Sequence, residues 1–232
     1  MGNTDYLNGN YFKNNPTWHV EDANWKAQQI IKIIETNRIE PKSICEVGCG
    51  AGEILNQLHS RMNNNISFTG YEISPQAYEL CKQRTKGRLS FKLLNILDDT
   101  ESQFDVVLVI DVVEHIEDCF DFLKKIKDKG RFKILHIPLD MSVQKVLRCS
   151  PILEARSQVG HIHYFSKETA LAMISESGYK IIDYFYTQSA IEVPSKKLKT
   201  QLAKFPRKFF FKLNQDLTAR ILGGYSLLVL AE

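Results

Sequence analysis

The stretch "ICEVGCGAGEIL", residues 44–55, limits the fold of this chain more than any other. A strand-forming run meets three glycines, Gly48, Gly50 and Gly52, inside five positions, and a helical pattern begins at once. A glycine-rich turn that leaves a strand and opens a helix lets a ligand approach the backbone closely. Further strand-like runs follow: "ISFTGYEI", "LSFKLL", "FDVVLVID", "FKILHIPL", "KIIDYFYT" and "YSLLVLAE". The run "FDVVLVID" is apolar almost throughout, as a strand buried on both faces must be. Helical faces lie between them. Ala27, Ile30, Ile31 and Ile34 recur at helical spacing in a helix announced by Asp22, and Ala51, Ile54, Leu55, Leu58 and Met62 do so after the turn. Ser74-Pro75 is a cap followed by proline at the first helical position, and Gly178 stops the helix "SKETALAMISES".

Strands alternating with helices predict an α/β chain with a doubly wound, mostly parallel sheet of seven strands. We read residues 1–232 as a single Rossmann-like domain. Residues 1–40 form an N-terminal helical flap, 140–165 an insertion after the fifth strand, and 195–222 a basic amphipathic segment between the last two strands. Composition adds exclusions. The chain is 44% hydrophobic and 25% charged with a net charge of +3, ordinary for a soluble globular protein and too weakly basic for nucleic-acid binding over the whole surface. Five cysteines without a CxxC pair suggest neither a disulfide framework nor a zinc ribbon. The N-terminus has no apolar signal core, Tyr6 breaks the myristoylation pattern, and no stretch is long and apolar enough to span a membrane. The expected location is cytoplasmic.

The turn alone leaves NAD, a nucleotide phosphate and a methyl-donor cofactor open. Its neighbours narrow the choice. The spacing is G-x-G-x-G, and Glu53 stands where a dinucleotide site needs its helix N-terminus clear for a pyrophosphate. Glu46 is a second acid misplaced for a phosphate and suited to a cationic amine. Glu72 ends the second strand about twenty residues on, where an acid accepts from ribose hydroxyls. An adenosine ligand with a positive amino-acid tail and no phosphate fits the set, and S-adenosylmethionine is such a ligand.

"EVGCGAGE", "GYEIS", "LLNILDD" and "FDVVLVIDVVEHIED" resemble the successive motifs of class I S-adenosylmethionine-dependent methyltransferases, in the small-molecule branch that includes ubiquinone-biosynthesis O-methyltransferases. The resemblance is strong over residues 40–140 and looser elsewhere. It implies that Glu46, Gly48, Cys49, Gly50 and Gly52 flank the methionine part, and that Glu72 binds the ribose with Ile73 against the adenine. It further implies that Asn95 and Ile96 hold the base edge, although the family often has Asp at the position of Asn95, and that Ile110 and Asp111 line the methionine side. A seventh strand antiparallel to the rest, "GGYSLLVLAE", is a further implication.

The catalytic candidates are histidines. Methyl transfer from a sulfonium is a direct displacement, and a hydroxyl acceptor also needs a base. His115 follows the fourth strand, while "GHIHYFS" supplies His161 and His163. His163 or His115 is the preferred base, and a structural histidine satisfied by backbone is the competing reading for each. No resident metal is expected. The set that could hold one is Asp111, Glu114, His115 and His163, which resembles the E-x-x-E-H plus histidine arrangement of an RNA 3′-end methyltransferase.

The remaining expectations concern partners. A small-molecule acceptor is expected, and DNA is not. Tyr11, Phe12, Trp18, His19 and Trp25 in the N-terminal flap would either cover the cofactor or pack on the sheet. Between residues 196 and 212, Leu198, Leu202, Phe205 and Phe209 recur among seven lysines and arginines, which would suit an anionic membrane surface, a lipid-like substrate or the last sheet edge. Pro206 should interrupt any single helix there. The rival functions are a nicotinamide-dependent oxidoreductase, a metal-assisted RNA 3′-end-type methyltransferase and a non-catalytic cofactor-binding module.

Overall fold

The structure, a computed structural model, describes residues 12–13, 15–18, 20–188, 192 and 198–232, with 198–203 described by their backbone alone. Tyr11, His19, Lys196 and Lys197 lie outside the described residues.

One sheet holds the described strands in the order β3-β2-β1-β4-β5-β7-β6. They are β1 (Ser43–Val47), β2 (Ser67–Glu72), β3 (Leu89–Leu93), β4 (Phe104–Ile110), β5 (Gly130–Pro138), β6 (Ile181–Thr187) and β7 (Ser226–Ala231). Pairings among β1 to β5 are parallel, and β7 runs antiparallel to both β5 and β6. Strand order reverses between β1 and β4, so their carboxyl ends open a crevice there, the usual ligand position in such sheets.

Alternation along the strands builds a core on each side. Val107 and Val109 of β4, Leu135 and Ile137 of β5 and Leu227 and Val229 of β7 bury one face against α4 (Cys119–Ile126) and α7 (Lys167–Glu176). Val106, Leu108, Ile134, Leu228 and Leu230 point the other way, against α1 (Val20–Thr36) and α2 (Glu53–Arg61). Ala27, Ile30 and Ile34 are the buried stripe of α1. Ser74 caps α3 (Pro75–Cys81) by accepting from the Ala77 amide at 3.4 Å, with Pro75 in its first turn. Tyr71 and Phe104 meet edge to face at 6.0 Å, on the packing side of the structure.

The loop after β5 folds into α5 (Val143–Arg148) and α6 (Ser150–Glu154), and the basic segment into α8 (Leu198–Leu213) and α9 (Gln215–Leu222). Pro206 lies inside α8 and does not divide it, contrary to the expectation above. Proline removes one amide donor and forces the preceding residue outward, which a helix at the surface accommodates by bending.

Candidate functional site

The crevice at the strand reversal is a cavity of about 350 Å³. Its floor is the glycine turn, where Gly48, Gly50 and Gly52 adopt φ of +63°, +54° and +75°. Glu72 pins that turn from β2. One of its carboxylate oxygens accepts from the Gly50 amide at 2.7 Å, the other from the Ile73 and Ser74 amides at 2.8 Å each. An ionised carboxylate offers about four acceptor positions, so three are occupied and a ribose hydroxyl would share the remainder. Burial raises the Glu72 pKa, and these backbone donors oppose the shift.

Glu46 reaches the same cavity from the middle of the sheet. It is 2% exposed, and its Oε2 has no hydrogen-bond partner. Burial pushes its carboxyl well above the usual range, Lys26 opposes this, and Glu72 adds to it. A cationic group entering the cavity would satisfy that oxygen. Glu53, at the start of α2, also lines the cavity and pairs with Arg84 at 2.8 Å. Its hydrogen bonds to Gln57 and Arg84 outweigh burial and hold its carboxyl low, which leaves an anion where a pyrophosphate would sit.

Past β4 the backbone turns at Asp111, whose φ of +53° is uncommon for a residue with a side chain. The conformation is held from three sides. The Asp111 amide donates to the His136 carbonyl at 3.0 Å, its carboxylate accepts from His136 Nδ1 at 2.6 Å, and Lys26 Nζ lies 2.7 Å away. Lys26 also pairs with Asp22 at 3.0 Å. Burial would raise the Asp111 carboxyl, but His136 and Lys26 override it and hold it well below the usual range. Lys26 in turn is held charged, because Asp111 and Asp22 outweigh its own burial.

Glu114, His115 and His161 form a third group in the cavity wall. Glu114 is fully buried with both carboxylate oxygens lacking hydrogen-bond partners. His115 Nε2 and His161 Nε2 lie 3.9 Å and 4.0 Å from its Oε1. Each ring is oriented from behind. His115 Nδ1 lies 3.1 Å from the Gly160 carbonyl and His161 Nδ1 lies 2.6 Å from Asp140 Oδ2. A carbonyl can only accept, as can an ionised carboxylate, so Nδ1 carries a proton in both rings and each Nε2 faces Glu114. Asp140 is held down to about 2, since its bonds to His161 and Lys145 override burial. Burial raises the Glu114 carboxyl well above its usual range, and Asp111 adds to the shift.

The expected residues divide clearly. Glu46, Gly48, Cys49, Gly50, Glu72, Ile73, Ile110, Asp111, Glu114, His115 and His161 line the cavity. Gly52, Asn95, Ile96 and His163 do not. Gly52 precedes α2 and faces Phe91 and Cys81. Asn95 caps a short turn by accepting from the Leu97 amide at 3.0 Å, and Ile96 is buried in the core. His163 Nε2 bonds to the Ile116 carbonyl at 2.8 Å, so it braces two loops. Of the set Asp111, Glu114, His115 and His163, Asp111 is engaged by Lys26 and His136, and among the described residues it is His161, not His163, whose ring nitrogen lies near Glu114 and His115.

Lys26, His136 and Asp140 escaped sequence reasoning. Lys26 carried a signal, because it shares the buried face of α1 with Ala23, Ala27 and Ile30. Asp140 carried one too, as the acid that follows apolar β5 in the way Asp111 follows β4. Trp18 of the flap packs over the turn, where a Gly50 Cβ would lie 3.5 Å from its ring.

This sheet order, with an antiparallel β7 and an acid-lined glycine turn, defines a class I methyltransferase architecture. Residues 40–149, a little under half of the chain, match the family model described as "Methyltransferase domain". Among curated proteins it is 33% identical over 109 residues to the mitochondrial ubiquinone biosynthesis O-methyltransferase of Schizosaccharomyces pombe, covering 42% of this chain and 38% of that one. It is 29% identical over 93 residues to ajmaline N-methyltransferase of Rauvolfia serpentina, covering 37% of this chain and 31% of the relative. The matched region thus spans well under half the length of either curated relative. The magnesium protoporphyrin IX methyltransferase of Synechocystis, crystallised with S-adenosylhomocysteine, shares the fold with a TM-score of 0.60 at 13% identity, over 90% of this chain and 82% of that one.

Proposed function

We propose that the chain methylates an oxygen or nitrogen nucleophile of a small molecule by direct displacement from S-adenosylmethionine. The observation that carries this reading is the buried Glu46 carboxylate, whose Oε2 has no hydrogen-bond partner, beside the turn pinned by Glu72. A cationic amino-acid tail answers the first, a ribose the second, and Lys26 is placed for the tail's carboxylate. The cofactor supplies an electrophilic methyl group when bound. The protein's own contribution is to hold the ligands in line, to exclude water beneath Trp18 and α1, and to offer a proton acceptor at His161 or His115. His161 is the better placed base, because the Asp140 carboxylate behind it, unlike the neutral Gly160 carbonyl behind His115, would stabilise the imidazolium that forms. The single-sheet architecture supports reading 1–232 as one domain, and the five free cysteines support a cytoplasmic setting.

The test is calorimetric titration with S-adenosylhomocysteine, with NADH as control. Binding of the nucleoside, weakened about tenfold or more in Glu46→Gln, is expected. NADH binding in its place would overturn the proposal in favour of an oxidoreductase.

One observation favours adding a metal. The ligand atoms of Glu114, His115 and His161 lie within 4.8 Å of one another. Two ligands about 2.1 Å from one ion stand at most about 4.2 Å apart, and the measured 3.9 Å and 4.0 Å from Glu114 lie inside that limit. In this second reading a divalent cation bound there would act on the acceptor as a Lewis acid. Methyl transfer undiminished by exhaustive chelation would refute it.

A further inference from the structure

We propose that α5, α8 and α9 together form a face that docks on an anionic lipid bilayer.

Each of these helices turns its apolar side outward. On α5, the polar residues point in: Gln144 donates to the Leu222 carbonyl and Lys145 pairs with Asp140. Val143, Val146 and Leu147, spaced i, i+3 and i+4, point out, and Leu147 is 81% exposed. On α8, Phe211 is buried and Arg207 is half-buried, while Phe205, Phe209 and Leu213 are exposed in successive turns, Phe205 by 77%. Leu217 and Ile221 repeat the pattern on α9. A soluble surface carries isolated apolar residues without consequence, but a cluster drawn from three helices marks an interaction site.

The three helices are locked into one surface. The Leu222 carbonyl that ends α9 accepts from Gln144 of α5 and also from the Arg207 guanidinium of α8 at 3.2 Å, and Arg207 Nε donates to the Gly223 carbonyl at 3.1 Å. Two residues on, the Tyr225 carbonyl accepts from the Leu139 amide at 3.0 Å, and the next residue, Ser226, lines the cavity. The face is therefore joined through residues 223–226 to the cavity wall.

Charge selects the occupant. Neither 141–153 nor 198–213 contains an acid, whereas Lys208, Lys212 and Arg148 are exposed among the apolar side chains. A second copy docking by a two-fold axis would set these cations against themselves. An anionic bilayer attracts them and accepts the aromatic and aliphatic side chains between its headgroups.

Flotation of the full chain with vesicles tests this. The native protein should float with phosphatidylcholine vesicles containing phosphatidylglycerol, stay unbound with phosphatidylcholine alone, and be released by high salt. Lys208→Glu/Lys212→Glu and Leu147→Glu/Phe209→Glu should each lower partitioning about tenfold or more. All four sites are exposed, so thermal unfolding should match the native chain. Failure of the native protein to float with anionic vesicles would overturn the proposal, as would variants that float undiminished. Self-association lost in the same variants, without vesicle binding, would reassign the face to a second copy. None of these readouts depends on cofactor binding, so the result stands apart from the methyltransferase reading.

Discussion

The glycine turn separates structural from ligand-facing positions, and alanine substitution distinguishes them. At Gly52 the φ of +75° costs a residue with a Cβ about 1–2 kcal/mol. The new Cβ would also lie 2.5 Å from Phe91 Cε1 and 2.8 Å from Cys81 Cβ, both buried. Crowding of that kind in a packed core costs about 1–3 kcal/mol more, so Gly52→Ala should lose about 2–5 kcal/mol, a large share of a typical domain's stability. At Gly50 the backbone cost is similar, but the Cβ would stand 3.5 Å from the Trp18 ring, an ordinary contact. Gly50→Ala should therefore lose only about 1–2 kcal/mol. Because it faces the cavity and its amide bonds to Glu72, its larger defect should be in S-adenosylhomocysteine affinity. Urea unfolding without ligand reads the first difference, and calorimetry on the folded variants reads the second. Equal midpoints for Gly52→Ala and the native chain would refute the packing argument. Equal losses at both positions would refute the division of roles.

Lys26→Met removes the cation shared by Asp111 and Asp22 and should cost about 1–3 kcal/mol in urea unfolding, because the partly buried Asp111 carboxylate is left with His136 alone. On the metal reading of Glu114, His115 and His161, Asp140→Asn should reduce divalent-ion affinity about tenfold or more by calorimetry, since His161 loses the charged acceptor that orients it. The pH dependence has a definite sign. The folded-state pKa of Glu114 is raised by burial, so its contribution to stability is complete below about pH 4.3 and is lost as pH rises through the folded value. Unfolding by urea at about pH 5 and about pH 8 should thus show the native chain losing more stability with rising pH than Glu114→Gln.

Much of the architecture was legible because strands and turns declare themselves locally. Residues 104–110 could be read as a central strand from the apolar run that follows Asp105, and α3 from Ser74-Pro75. The turn's acids were legible because position relative to a strand end fixes what a side chain can reach. The site's second half was not. Lys26 is far in sequence from Asp111, and only the packing of α1 across the sheet brings them to 2.7 Å. His161 and His163 differ by two residues in an irregular loop, where no period says which ring turns inward. The Ile162 and His163 amides both donate to the Glu114 carbonyl, at 2.9 Å and 3.1 Å, and this pairing fixes the loop so that His161 faces the cavity. The continuity of α8 through Pro206 was hidden for a similar reason, since proline's local preference yields to a surface position where bending costs little.

The cavity's charge explains why one ligand class suits it. Asp22, Glu46, Glu53, Glu72, Asp111 and Glu114 line it, and Lys26 is the lysine among them. Lys26 neutralises the Asp22 and Asp111 side, Arg84 meets Glu53, and backbone amides receive Glu72. Glu46 and Glu114 are left, both buried and both pushed toward the protonated form. A phosphate would meet carboxylates at each place it could lie. In the proposed function a cation at one end of the ligand would relieve Glu46, and a second cation would relieve Glu114. In the function proposed above, Glu46 would serve the donor's charged tail and Glu114, beside His115 and His161, the acceptor's side of the same crevice.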